Sequence, residues 1–407
     1  MSQVMAKSAV SPVRRGFDVE PLLPRVHDVV MSQRPHEPLH CLRPAVIAAC
    51  ARAFVEGFLG SVLYAVKCNP EPRVLRALWA GGVRHFDCAS PAEIALVRQM
   101  FPDASIHYMH PVKGRAAIRD AWHLHRVRDY VIDSEDELAK IRAETGADAG
   151  GSLGLFVRLA VANAGAYDLT GKFGADPARA ARLLAMARPH AHRLGVCFHV
   201  GSQCLEPRAY ADALAVAAGV IRASGVEVDV VDVGGGFPVS YPDVTPPPLG
   251  VYFAEISGAL DRLGLGGLEL WAEPGRALVA AGTSVVVQVQ LRRDDALYVN
   301  DGVYGSLSDA GAPRFRFPAR LIREQEEGVP STRHLPYRLF GPTCDSADRM
   351  DGPFLLPEDV SEGDWIEVGQ LGAYGAALRT GFNGFDRARL VEVVDRPLLD
   401  TPGHPAS

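Results

Sequence analysis

The chain has 407 residues, long enough for two domains and a sizeable core. Its 42 Lys+Arg against 48 Asp+Glu give a net charge of −6 with no basic stripe, which argues against nucleic acid or an anionic membrane and for small-molecule partners. Seven scattered cysteines without CxxC spacing, the lack of an apolar h-region in "MSQVMAKSAVSPVRRGFDVE" and the lack of any apolar run of spanning length predict reduced thiols, no metal site and a soluble, cytoplasmic chain.

Residues 1–40 do not fit the repeat that follows, and their "HDVVMSQ" is expected to add a strand to a β domain. From about residue 60 to 276 eight β-prone runs recur: "SVLYAVK", "RHFDCA", "SIHYMH", "DYVID", "GLFVRLA", "GVCFHVG", "VDVVDVGGG" and "LELWAEPGR". The spacers are helical. "SPAEIALVRQM" opens on a serine cap with a glutamate three residues later, and "SEDELAKIRAE" and "DPARAARLLAMARPHAHRL" keep helical periodicity. Eight strand–helix units predict a closed (β/α)8 TIM-like barrel over 41–276, with its active site at the C-terminal ends of the strands. "YPDVTPPPLG" reads as a stiff connector. Beyond Arg276, "TSVVVQVQLRR", "ALYVND", "RHLPYRLFGP", "DWIEVGQLGAY" and "ARLVEVV" follow one another without regular helices, predicting a β-rich domain over 277–407.

Lys67 of "LYAVKCNP" raises a physical problem, because a lysine in a buried strand must find a partner, lower its pKa or form a covalent bond. Taken singly each motif has a bland reading: Lys67 as a snorkelling residue, "DVGGGFP" as a tight turn, "EPGR" as an ion pair, the histidine of "HVGSQ" as a core residue. Together they describe a different chemistry. A lysine for a Schiff base, a glycine turn with an arginine and a serine for a phosphate, a carboxylate for a ring nitrogen and a flat histidine make up a pyridoxal 5'-phosphate site.

The motifs "YAVKCN", "FDCAS", "HVGSQ", "DVGGGFP", "EPGR", "NDGVYGS", "GPTCDSADRM", "LGAY" and "FNGF", in this order over about residues 40–395, resemble those of the pyridoxal-phosphate-dependent ornithine/diaminopimelate/arginine decarboxylases, nearest the ornithine decarboxylases. The resemblance implies an alanine-racemase-like fold (fold type III), an α/β barrel with a C-terminal β domain, working as a head-to-tail homodimer with shared active sites. It gives Lys67 the bond to the cofactor, places His199 on the ring face and sets Glu273 on the ring nitrogen. Ser202, Gly235, Gly236, Gly275, Arg276 and Tyr374 would bind the phosphate, and Arg158 would approach the ring hydroxyl. Asp87 and Glu93 would lie near the lysine. Across the interface Cys344 would return a proton, Asp345 would bind the distal amine of the substrate, and Tyr304 and Phe382 would line the cleft.

One segment departs from the pattern. Where ornithine decarboxylases carry a second acidic residue, this chain has Pro313 in "LSDAGAPRFRFP", with Asp309 four residues away and Arg314 and Arg316 adding positive charge. The leading expectation is a decarboxylase of a basic L-amino acid, ornithine or lysine, giving a diamine and carbon dioxide in polyamine biosynthesis. The alternatives are a decarboxylase of a modified, conjugated or carrier-bound amino acid and a non-catalytic binding protein, against which the intact Lys67, Glu273, Arg276 and Cys344 speak.

Overall fold

The computed structural model describes residues 24–146, 151–166, 171–324 and 328–404. All eight β-prone runs form strands, each shorter than the apolar run that announced it: β2 Ser61–Ala65, β3 His85–Cys88, β4 Ser105–Tyr108, β5 Asp129–Ile132, β6 Gly154–Arg158, β7 Arg193–Cys197, β8 Val230–Asp232 and β9 Glu269–Ala272. They pair in parallel, and β9 returns to β2 to close the barrel. The chain leaves each strand before its motif ends, so the chemistry-bearing residues lie on the rim rather than in the wall.

Helices follow the strands and pack outside. Pro91–Met100 starts where the sequence indicates, the Ser90 hydroxyl accepting the Glu93 N–H at 3.3 Å. Ser134 caps Glu135–Thr145 in the same way, and Asp176 caps Pro177–Ala187 through two backbone N–H groups. The inside of the barrel is filled rather than open: Leu63, Met109, Val131, Phe156, Cys197, Val230 and Trp271 form its core, with the Phe156 and Trp271 rings stacked at 4.8 Å.

The second body is an eight-stranded sheet ordered β12-β15-β10-β11-β13-β14, where β10 is Thr283–Arg293, β11 Ala296–Val299, β12 Ala319–Ile322, β13 His334–Phe340, β14 Arg349–Pro357 and β15 Trp365–Val368. The remaining two strands are β1, Leu39–Leu42, antiparallel to β10, and β16, Arg389–Glu392, parallel to β1. The expectation for the N-terminal segment needs correcting. "HDVVMSQ" lies in a helix, Val26–Gln33, whose Val26, Val29 and Val30 are buried at the helical spacing of three and four, while Leu39–Leu42, just downstream, joins the sheet. Residues 1–23 lie outside the described part. Arg43, 2 % exposed, ties this segment to the sheet through Glu367 at 3.1 Å and Asp395 at 3.2 Å.

Two histidines, His40 buried and His85 half-buried, make the fold sensitive to acid. His40 contacts the Ser306 hydroxyl at 3.0 Å, and His85 faces His107 at 3.1 Å, with His107 on Asp129 at 2.9 Å. Burial pushes His40 and His85 each down to about 4, the His107 charge adding to the effect at His85. The unfolded chain therefore binds more protons between these values and the ordinary histidine value of about 6.5, so their contribution is intact above that value and is lost as pH falls towards about 4. The urea midpoint is expected to drop between about pH 7 and pH 5, and His85→Gln should flatten part of that slope. A midpoint independent of pH across this window would contradict the assignment.

Candidate active site

Lys67 is not in a strand. β2 ends at Ala65, and Lys67 sits in a single 3-10 turn, Val66–Cys68, held by the Tyr64 hydroxyl on Asn69 O at 3.0 Å and by the Tyr374 N–H on Cys68 O at 2.9 Å. Its side chain keeps 46 % of its surface open towards a cleft and lies 3.3 Å from Asp87 Oδ2, itself 2 % exposed. The Asp87 carboxylate holds the ammonium above the ordinary lysine range against the opposing effect of burial. Glu93, expected beside the lysine, accepts the Ala89 N–H at 2.6 Å and lies close enough to Lys67 and Asp87 to feel both charges.

The glycine turn follows β8 and lies against the end of β9. The Glu273 N–H donates to Gly234 O at 2.8 Å, and the Tyr210 hydroxyl donates to Gly235 O at 3.0 Å. A Cβ on Gly235 would lie 2.7 Å from Glu273 O and 3.2 Å from His199 Nε2; one on Gly236, at φ +104°, would lie 2.5 Å from Gly201 O. The glycines let backbone approach where no side chain fits. Ser202, Gly235, Gly236, Gly275, Arg276 and Tyr374 line one recess together with Lys67, His199 and Glu273. Arg276, 4 % exposed, is gripped from both domains: its Nη1 donates to the Tyr241 hydroxyl of the β8 loop at 2.8 Å and its Nη2 to Asp309 Oδ2 of the second domain at 2.9 Å.

His199 follows β7 and accepts the Gly201 N–H on Nδ1 at 2.9 Å, which leaves Nε2 as the protonated nitrogen. Burial, helped by the Arg158 and Lys67 charges, pushes it down to about 3, so the ring is neutral and flat. Glu273, 5 % exposed, is raised well above the carboxylate range by burial and then by the Asp232 and Asp87 charges. Arg158 ends β6 and lines, with Lys67, His199, Ser202 and Tyr374, a cleft of about 550 Å³ that continues over Met109, Pro111, Phe173, Asp309, Pro313 and Leu378. Arg314 is exposed, and Arg316 pairs with Asp243 at 3.4 Å.

The other predicted residues assemble elsewhere. Cys344 and Asp345 line a separate cavity of about 510 Å³ against the β sheet. The Tyr304 hydroxyl donates to Asp345 Oδ2, the Ala347 N–H donates to Oδ1 at 2.9 Å, and these two bonds hold the carboxyl below the usual aspartate range. The exposed Phe382 packs on Tyr304 at 4.9 Å. Asn383 Oδ1 accepts both the Cys344 N–H at 3.1 Å and its thiol at 3.3 Å. Among the described residues, neither cavity's lining includes residues of the other. Sequence reasoning gave no role to Asp232, Tyr241 or Asn383. Each lies in a stretch already singled out, but its contact is made across the fold.

A barrel rim that offers a lysine, a neutral histidine, a buried carboxyl, a glycine cradle and a buried arginine defines a pyridoxal-phosphate enzyme of the α/β-barrel class, and the cradle suits a phosphate that only backbone and short side chains can approach. A family model described as "Pyridoxal-dependent decarboxylase, pyridoxal binding domain" matches residues 45–280. The lysine/ornithine decarboxylase of Selenomonas ruminantium is 34 % identical over 83 % of this chain and 84 % of its own length. Among solved structures, the lysine/ornithine decarboxylase of Vibrio vulnificus complexed with putrescine matches with a TM-score of 0.76 at 32 % identity, covering 90 % of this chain and 97 % of that one. The arginine decarboxylase of Paramecium bursaria Chlorella virus bound to agmatine matches with a TM-score of 0.78 at 26 % identity, covering 90 % and 99 %. The chain belongs to the pyridoxal-dependent decarboxylases: it is an amino-acid decarboxylase with pyridoxal 5'-phosphate as cofactor. No helix of the described residues is long and apolar enough to cross a membrane.

Gly235→Ala should test the cradle. The added methyl must displace Glu273 O or His199, so affinity for pyridoxal phosphate should fall about tenfold or more while the thermal midpoint of the apoprotein changes little. Unchanged affinity would mean that this turn does not face the cofactor.

Proposed function

We propose that the enzyme decarboxylates a basic L-amino acid, ornithine or lysine, releasing a diamine and carbon dioxide in polyamine biosynthesis in the cytoplasm. The observation that carries the reading is Asp345: a half-buried carboxylate, kept anionic and oriented by the Ala347 N–H and Tyr304, suited to a distal ammonium through a charge-assisted hydrogen bond. When bound, the cofactor supplies the electron sink for the pair left behind as carbon dioxide departs.

The residues around it divide the remaining work. Lys67 would hold the cofactor, and Asp87 would pair with the Lys67 ammonium whenever the lysine is free. Glu273 would accept from the ring nitrogen, neutral His199 would cover the ring face, and Arg158 would approach the ring hydroxyl. Ser202, Gly235, Gly236, Gly275, Arg276 and Tyr374, which line one recess, would hold the phosphate. Cys344 returns a proton to the substrate carbon, while Tyr304 and Phe382 form the wall beside Asp345. Because the Lys67 cleft and the Cys344–Asp345 cavity are separate within one chain, a head-to-tail homodimer that sets one against the other completes each site.

One observation favours a second reading. The Lys67 cleft is walled by Met109, Pro111, Phe173, Pro313 and Leu378, and its Asp309 carboxylate is bound to Arg276, which suits a modified or conjugated amino acid better than a free diamine precursor. A carbon dioxide release screen over ornithine, lysine, arginine, diaminopimelate and acylated amino acids separates the two. Turnover of acylated substrates alone would overturn the first.

Lys67→Ala should abolish the visible absorbance of the lysine-bound cofactor and lower kcat by about three orders of magnitude or more, with folding retained. Near-normal turnover would mean the lysine is misassigned. Mixing Lys67→Ala with Cys344→Ala subunits should restore about a quarter of the wild-type sites by random pairing. No recovery after verified exchange would place each site within one chain.

A further inference from the structure

Glu273 does not stand alone at the floor of the rim. Asp232, the last residue of β8, is fully buried and lies opposite Trp271 of β9, two residues before Glu273. Its Oδ1 accepts the Gly234 N–H at 2.8 Å, while the Glu273 N–H donates to Gly234 O at 2.8 Å, so one glycine carries both residues. Held at the ends of adjacent strands by the same glycine, the two buried carboxyls are close enough that each acts on the other's protonation. Among the described residues no donor meets Asp232 Oδ2. A bond between two carboxyls needs a proton on one of them, and two anions this close in a dry site are strongly disfavoured. Lys67, paired with the third carboxyl, Asp87, and Arg158 both pull Glu273 the other way, but burial and the neighbouring carboxyls outweigh them. Burial pushes Asp232 up to about 6 and raises Glu273 further, the direction expected of a pair that retains one proton. A ring nitrogen that donates to Glu273 requires Glu273 as the anion, which leaves the shared proton on Asp232.

We propose that Asp232 is a positioning residue that carries the proton of the pair and donates a hydrogen bond to Glu273, holding that carboxylate as the acceptor for the cofactor's ring nitrogen. The inference rests on the assignment of Glu273 made above. It gives the first residue of "DVGGGFP" a function separate from the glycines that follow it.

The test compares Asp232→Asn with Asp232→Ala in the holoenzyme, reading the 15N shift of ring-labelled cofactor together with kcat and KM. Asparagine keeps an oxygen for the Gly234 N–H and an N–H for Glu273, so it should retain a protonated ring nitrogen and most of kcat. Alanine removes the donor. It should shift the ring nitrogen towards the unprotonated value and lower kcat about tenfold to a hundredfold with little change in KM, the loss expected for one charge-assisted hydrogen bond. Equal damage in both variants, or a ring nitrogen unchanged in Asp232→Ala, would overturn the proposal. Glu273→Gln separates the two levels: a ring nitrogen that stays protonated there refutes the Glu273 assignment, whereas one that loses its proton there but not in Asp232→Ala refutes the role of Asp232 alone. Should the alanine variant not fold, infrared spectra decide. The C=O stretch of a protonated buried carboxyl should be present in the wild-type holoenzyme and lost in Asp232→Asn, and its absence from the wild type would overturn the proposal.

Discussion

The contact between Lys67 and Asp87 sets the terms for everything around it. An ammonium beside a buried carboxylate at the end of a barrel strand is tolerable only if its surroundings match its charge and if it has somewhere to reach. Both conditions are met because β2 stops at Ala65: one turn later the lysine points along the rim instead of into the wall. Asp232 and Glu273, on the strands at the far side of the closure, add two acidic groups with room for a single negative charge between them. Burial, with the Arg158 and Lys67 charges adding to it, keeps His199 neutral. The rim is therefore charge-matched group by group.

The second domain contributes to the same region by gripping the barrel rather than by covering it. Asp309 comes from the segment after β11 and bonds to Arg276, and Tyr374, held at φ 62° in a turn after β15, donates its N–H to Cys68 next to Lys67. Arg276 is thus fixed by residues distant in sequence before any phosphate is considered. A guanidinium oriented this way presents a prepared face to an anion instead of an ensemble of rotamers. The same economy is seen at Cys344 and Asp345, whose positions are set by Asn383 and Tyr304 from neighbouring loops.

The barrel was legible in the sequence because its physics is local and periodic. Eight apolar runs separated by capped helices admit few other closures, and the serine caps at Ser90 and Ser134 and the aspartate cap at Asp176 mark helix starts within a residue. The β domain was half legible. β12 and β14 were missed because "ARLI" and "RMDGPFLLP" mix charge, glycine and proline with the apolar residues, and only pairing with β15 and β13 makes them strands. "HDVVMSQ" was misjudged because a short run of valines satisfies either period, and packing against β1 and Trp365 decides for the helix.

The sequence by itself determined which chemical groups the enzyme carries and their order along the rim, since a lysine after the first barrel strand, glycines after the seventh and a glutamate after the eighth are fixed by strand count alone. Tertiary structure decided how those groups are paired. That Glu273 shares its site with Asp232, that Arg276 is held by Tyr241 and Asp309, and that Asp345 is oriented by Tyr304 depends on distances between segments dozens of residues apart. Hydrogen bonding falls off within a few ångströms and screened charge coupling within about ten, and no periodicity in a linear chain encodes which of its many carboxylates will come that close.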